Sequence, residues 1–101
     1  MKRLLFSLLS LTTLFSAEYV VDQKNKTFLP GELSVHVGDI ITFKNSDPFS
    51  HNAYTDEEEN EFDVGMQKSG TKKSVKVKGA HDFNIECAIH PNMLIKVKVD
   101  K

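Results

Sequence analysis

Phe83-Asn84-Ile85-Glu86-Cys87-Ala88-Ile89-His90-Pro91-Asn92-Met93 is the stretch on which the reading of this chain turns. Its first half alternates: Phe83, Ile85 and Cys87 fall on one side of a strand and Asn84 and Glu86 on the other. Its second half gathers a thiol, an imidazole and a thioether at the spacing C-x2-H-x2-M. Thiolate and thioether are soft donors and imidazole a borderline one, a set that suits copper. Hard cations take oxygen ligands, and structural zinc sites use only cysteine and histidine. A trigonal site of two histidines and one cysteine with a weak axial methionine needs one more histidine, which must come from elsewhere.

His36, His51 and His81 are the remaining histidines. Leu33, Val35 and Val37 alternate with Ser34 and His36, which puts the three apolar residues on a buried face and His36 in solvent. His81 lies in the turn Gly79-Ala80-His81-Asp82 and is expected to be exposed. His51 follows the break Asn45-Ser46-Asp47-Pro48 and enters a strand over Phe49 to Tyr54, beside a polar turn able to meet the C-terminal loop. Taken alone, His51 would be an ordinary surface histidine.

The rest of the chain supplies short strands. Tyr19-Val20-Val21 and Thr27-Phe28-Leu29 favour strand and are divided by the polar turn Asp22 to Lys26. Pro30-Gly31 and Gly38-Asp39 are turns, Ile40 to Lys44 a strand, and Val75 and Val77 alternate with Lys76 and Lys78. Leu94 to Val99 forms the last strand. Asp56 to Asp63 reads as a solvated acidic loop pinned by Phe62 and Val64, without calcium-loop spacing. About seven strands, no helical run and no repeat predict an all-β sandwich or barrel of one domain.

Lys2 and Arg3, the apolar run Leu4 to Phe15 and the small pair Ser16-Ala17 have the layout of a secretory signal peptide, with a retained anchor as the alternative. We place the signal at 1–17, with a cut after Ser16 as the competing option, and one domain at 18–101. Removing Lys2 and Arg3 from 13 basic residues leaves 11 against 14 acidic ones, a charge of about −3 that argues against nucleic-acid binding. No apolar run after residue 17 is long enough to span a bilayer. The single cysteine of an exported chain has no internal disulfide partner; a metal bond accounts for it better than an inert buried thiol does.

These residues resemble the cupredoxins, and among them the amicyanin-like small blue copper proteins, from Val20 to Val99. The resemblance rests on Pro30 through Val37-Gly38-Asp39, on Phe43-Lys44-Asn45-Ser46-Asp47 leading to His51-Asn52, and on Phe83 to Met93. Plastocyanins and pseudoazurins place four residues between the last histidine and the methionine; amicyanin-like proteins place two, as here. The resemblance implies a Greek-key β-sandwich holding one type 1 copper through His51, Cys87, His90 and Met93. It also implies that the backbone N–H of Asn52 supports the cysteine sulfur. Relatives carry Thr or Ser and then Pro after the cysteine, where this chain has Ala88 and Ile89.

The implied function is a periplasmic carrier of single electrons and not an enzyme. Its implied partners are redox proteins such as a c-type cytochrome or a periplasmic dehydrogenase, and a monomer is expected. Copper storage or delivery is the alternative function, and a structural domain with a vestigial site a third. Pro48, Phe49 and Pro91, with Met66 a weaker candidate, are expected to form an apolar rim around His90. Phe49 has a core position as its alternative, and Met66 is expected to pack rather than to act as a fifth ligand. The acidic and lysine-rich runs are read as solubilising surface, with steering of partners as the alternative.

Overall fold

The computed structural model describes residues 16–100. They form nine strands: β1 (Glu18–Lys24), β2 (Thr27–Leu29), β3 (Glu32–His36), β4 (Ile40–Asn45), β5 (Tyr54–Thr55), β6 (Phe62–Asp63), β7 (Lys72–Lys76), β8 (Phe83–Glu86) and β9 (Leu94–Asp100). The expected all-β architecture is present as two sheets, one ordered β2-β1-β4-β7 and the other β3-β9-β8-β5-β6. β1 runs parallel to β4 and β3 parallel to β9, while the other pairings are antiparallel. The chain therefore leaves the first sheet at Pro30-Gly31, builds β3 in the second, and returns through Gly38-Asp39. Gly38 has φ +97°, a conformation that side chains resist, and donates its N–H to Val77 O at 2.8 Å.

Alternation in the strands fills the space between the sheets. Val21, Phe28, Ile41 and Phe43 of the first sheet meet Leu33, Val35, Ile85, Ile95 and Val97 of the second. Phe43 links Phe28 and Phe62 at centroid distances of 6.4 and 5.9 Å, and Phe62 continues to Phe83 at 6.5 Å. Tilted pairs of this kind contribute about 0.5–1.5 kcal/mol each beyond the area they bury.

Four local expectations are corrected. β1 runs on to Lys24, so the turn shrinks to Asn25 and Lys26, both at positive φ (55° and 57°), as a two-residue hairpin of primed type demands. Gln23, polar in sequence, is fully buried because Gln67 pairs with it. Val37 is 46% exposed, because β3 ends at His36 and the glycine turn swings the next side chain outward. His51 does not enter a strand; it makes an isolated bridge with Gln67, and β5 begins only at Tyr54. The count of strands rises to nine because β5 and β6 have two residues each.

Most of the expected signal segment lies outside the described residues. Ala17 is ordered against the sandwich: its N–H donates to Asp39 Oδ1 at 3.0 Å and its carbonyl accepts from Ile40 N–H at 2.9 Å. Among the described residues, no helix is long and apolar enough to cross a membrane.

Candidate metal centre

Three connections meet at the pole where β1, β4 and β8 end: the segment after β4, the segment between β6 and β7, and the loop from β8 to β9. His51 belongs to the first and is clamped by the second. Its N–H donates to Gln67 O at 3.0 Å, and Gln67 N–H donates back to His51 O at 2.8 Å. The buried Gln67 amide donates to Phe43 O at 2.7 Å and Thr71 O at 3.0 Å, and accepts from Gln23 at 2.9 Å. Asn45 Nδ2 reaches Phe49 O and Gln67 O, both at 2.9 Å, and its Oδ1 accepts from Asp47 N–H at 2.9 Å. The bonds of Gln67 and Asn45 in this buried network fix the backbone that carries the histidine.

The His51 ring is fully buried, and its Nε2 lies 2.6 Å from Asp47 Oδ2. A carboxylate only accepts, so Nε2 carries the hydrogen there, and Nδ1 is turned toward His90 Nδ1 at 3.1 Å. Asp47 also accepts from Asn25 N–H at 2.7 Å and Lys26 N–H at 3.0 Å. Burial pushes the Asp47 carboxyl up, but the Lys26 N–H, His51 and the Asn25 N–H outweigh it and hold the group below its usual range.

Cys87 follows β8 on its inward side and is buried. Its Sγ lies 3.9 Å from His90 Nδ1. One donor atom each from His51, Cys87 and His90 lies within 4.8 Å of the others, and among the described residues this is the one such cluster of three. Burial, then the nearby His51 and the Lys26 ammonium, lower the pKa of His90, with Asp47 opposing; near neutral pH its ring is a neutral donor. Met93 is buried in the core with Cys87, and its N–H donates to His90 O at 3.0 Å, closing the loop that holds both residues.

The missing hydroxyl after the cysteine leaves Asn52 still engaged. Asn52 Oδ1 accepts from Ala88 N–H at 3.2 Å, while Nδ2 donates to Asp63 Oδ1 at 2.8 Å and Gly65 O at 3.1 Å. The Asn52 side chain thus ties the cysteine loop to the segment after β6. His36 and His81 lie away from the cluster with exposed rings, 63% and 65% accessible. Phe49 is 38% exposed and packs against His51 and His90 at centroid distances of 5.3 and 5.6 Å. Met66 is 64% exposed, which corrects the expectation that it packs. Asp47 and Gln67 were not legible as site residues. Asp47-Pro48 reads as a loop breaker and nothing in sequence marks Gln67, which only the tertiary fold brings to His51.

The fold and this donor set define a small copper-binding β-sandwich. Residues 16–100 match the copper-binding proteins of the plastocyanin/azurin family, and the chain belongs to that family. Among solved structures, the Cu(I) form of a methionine-to-alanine variant of amicyanin is similar, with 28% identity, TM-score 0.73 and 82% of each chain covered. The oxidised form of a proline-to-glycine amicyanin variant has 27% identity and TM-score 0.74, covering 85% of this chain and 90% of that one. The copper-containing nitrite reductase of Thermus scotoductus SA-01 shares the fold at 20% identity and TM-score 0.76; this chain spans 25% of its length. No curated protein sequence matches the chain.

His51, Cys87 and His90 fit one copper ion, since two imidazole nitrogens and a sulfur converge and the His51 tautomer leaves Nδ1 free to bind. Asp47 orients that ring, so Asp47→Asn is expected to weaken copper binding roughly 10- to 100-fold with the fold retained. Competition with a chelator, read beside circular dichroism, measures this. An unchanged affinity would show that the carboxylate does not support the ligand.

Proposed function

We propose that the protein is an exported carrier of single electrons. Copper would be held by the His51 and His90 imidazoles and the Cys87 thiolate, with the Met93 thioether as a fourth, weaker donor. The convergence of two Nδ1 atoms and one Sγ carries this reading. Amicyanin relatives solved in both oxidised and Cu(I) forms support it. Copper in such a site supplies a one-electron change between Cu(I) and Cu(II). The chain's part is to keep the donors from moving: Gln67 and Asn45 fix the His51 backbone, Asp47 fixes its ring, and Asn52 fixes the cysteine loop.

His90 is half-buried at the surface, with Phe49 against its ring and Pro48, Ile89 and Pro91 exposed on the same connections. A partner pressing on this apolar rim reaches the imidazole and excludes water, and a small transient interface suffices for that. A c-type cytochrome or a periplasmic dehydrogenase fits this role.

The N-terminal segment, ending at Ala17 or at Ser16, acts as the export signal in this reading and the periplasm is the destination. The contacts of Ala17 support the cut after Ser16, which would place an α-ammonium beside the Asp39 carboxylate. The intact mass of the exported protein distinguishes the two cuts, and a chain beginning at Glu18 would overturn this preference. The reading as a whole is tested by the absorption and EPR spectra of the Cu(II)-loaded protein, followed by reduction and reoxidation with a c-type cytochrome. An intense blue band with fast reversible exchange is expected. A pale Cu(II) form with tight Cu(I) binding would replace this reading with copper storage or delivery.

A further inference from the structure

The turn between β1 and β2 stands beside the metal centre and carries the Lys26 ammonium at its apolar rim. Lys26 Nζ lies 5.7 Å from the centroid of Phe49, whose ring packs against both His51 and His90. The turn is also anchored. Asp47 accepts the N–H groups of Asn25 and Lys26 while its Oδ2 holds His51, so one carboxylate fixes both the ligand and the turn.

Lysines extend from this point across the outer face of the first sheet. On β1, Val21 and Gln23 point inward, so Lys24 and Asp22 point outward. Asp22 pairs in register with Lys44, and Lys44 with Lys72. Like charges directly opposite one another across strands are unfavourable. Among the described residues the ion pairs all involve histidine, so no lysine here is neutralised by a carboxylate partner. Asp22 is the one carboxylate in the row, and it also accepts the Ser46 hydroxyl at 2.6 Å. The chain carries more acidic than basic residues, yet this copper-proximal rim is cationic.

We propose that Lys24, Lys26, Lys44 and Lys72, with the Phe49 rim, form a docking surface for a redox protein that presents carboxylates around its own electron port. This rests on the electron-carrier reading and names the kind of partner it implies. Complementary charge raises the association rate and sets orientation, and salt weakens it. A row of four lysines and one aspartate beside an apolar port is the arrangement such a partner meets with acids around an apolar centre. Because the turn is held by Asp47, the Lys26 ammonium is presented from a fixed backbone, which lowers the ordering cost of docking.

The test uses the redox-inert hexacyanochromate(III) trianion as a paramagnetic probe of the Cu(I)-loaded protein by NMR. Broadening centred on Lys26, Lys24, Lys44 and Phe49, reversed by added salt, is expected. The double variant Lys24→Gln/Lys44→Gln removes two charges of the row away from His90; it should remove the broadening over β1 and β4 and leave the Cu(II) spectrum unchanged. The same variant should be oxidised several-fold more slowly by hexacyanoferrate(III), with no slowing by a cationic cobalt(III) complex. Broadening centred instead on Lys76 and Lys78, or none at all, overturns the proposal. Salt-sensitive binding to phosphatidylglycerol vesicles through these lysines, without the effect on hexacyanoferrate oxidation, assigns the face to a membrane and also overturns it. The anion map involves no redox step, so it can fail or succeed independently of whether the protein carries electrons.

Discussion

Cys87→Ser is expected to abolish the intense visible band of the Cu(II) protein. That band requires a thiolate donor, and a serine hydroxyl neither ionises near neutral pH nor donates charge as a soft sulfur does. The fold should survive, because Cys87 contributes little volume at the end of β8 and the phenylalanine core lies beyond it. Circular dichroism checks that point separately. Three histidine variants calibrate the result. His51→Ala should disturb the copper spectrum, since its ring is fully buried with Nδ1 3.1 Å from His90 Nδ1. His36→Ala and His81→Ala should leave it unchanged, since both rings are exposed. A blue protein without Cys87 would remove the proposed ligand set altogether.

A second large effect is expected far from the metal. Asn60 is buried and works as a clamp on the turn between β7 and β8. Its Oδ1 accepts from Lys78 N–H at 2.9 Å and Gly79 N–H at 3.0 Å. Its Nδ2 donates to Glu57 Oε1 at 3.0 Å, Gly79 O at 3.1 Å and His81 O at 3.3 Å. Asn60→Ala leaves two backbone donors without their partner and is expected to destabilise the fold by about 2–4 kcal/mol. That is a large part of the roughly 5–15 kcal/mol typical of a domain. Urea denaturation measures it, and a midpoint equal to that of the parent would refute the clamp. Copper spectra should be unaffected, because this turn lies at the pole opposite the site.

Acid should loosen the same clamp. Burial pushes the Glu57 carboxyl up, but the Glu59 N–H, the Asn60 amide and His81 outweigh it and hold the group below the usual carboxylate range. A folded-state value below the unfolded one stabilises above the unfolded range. That contribution is lost as pH falls through the depressed value.

What the sequence disclosed followed from how local each feature is. Cys87, His90 and Met93 share one short loop, so their chemistry can be read without a fold. Apolar alternation in Leu33 to Val35 and in Phe83 to Cys87 showed which faces are buried. His51 lies thirty-nine positions before His90; the polar turn beside His51 suggested the link and the family resemblance supplied it. The errors came where polar residues were assumed to be solvated. Gln23, Asn60 and Asp47 are all buried, each held by a partner distant in sequence. Val37 and Met66 erred in the opposite sense, since an apolar side chain beside a turn can stand in water without penalty to the core.

The contacts of Ala17 fix the direction in which the chain enters the sandwich. β1 starts beside the Gly38-Asp39 turn and ends next to the Asn25-Lys26 turn that Asp47 holds against His51. Whatever precedes Ala17 therefore joins the molecule at the pole opposite the metal centre. A chain still fastened through that end would hold His90 and its apolar rim facing outward, and tethering and docking would not compete for the same surface.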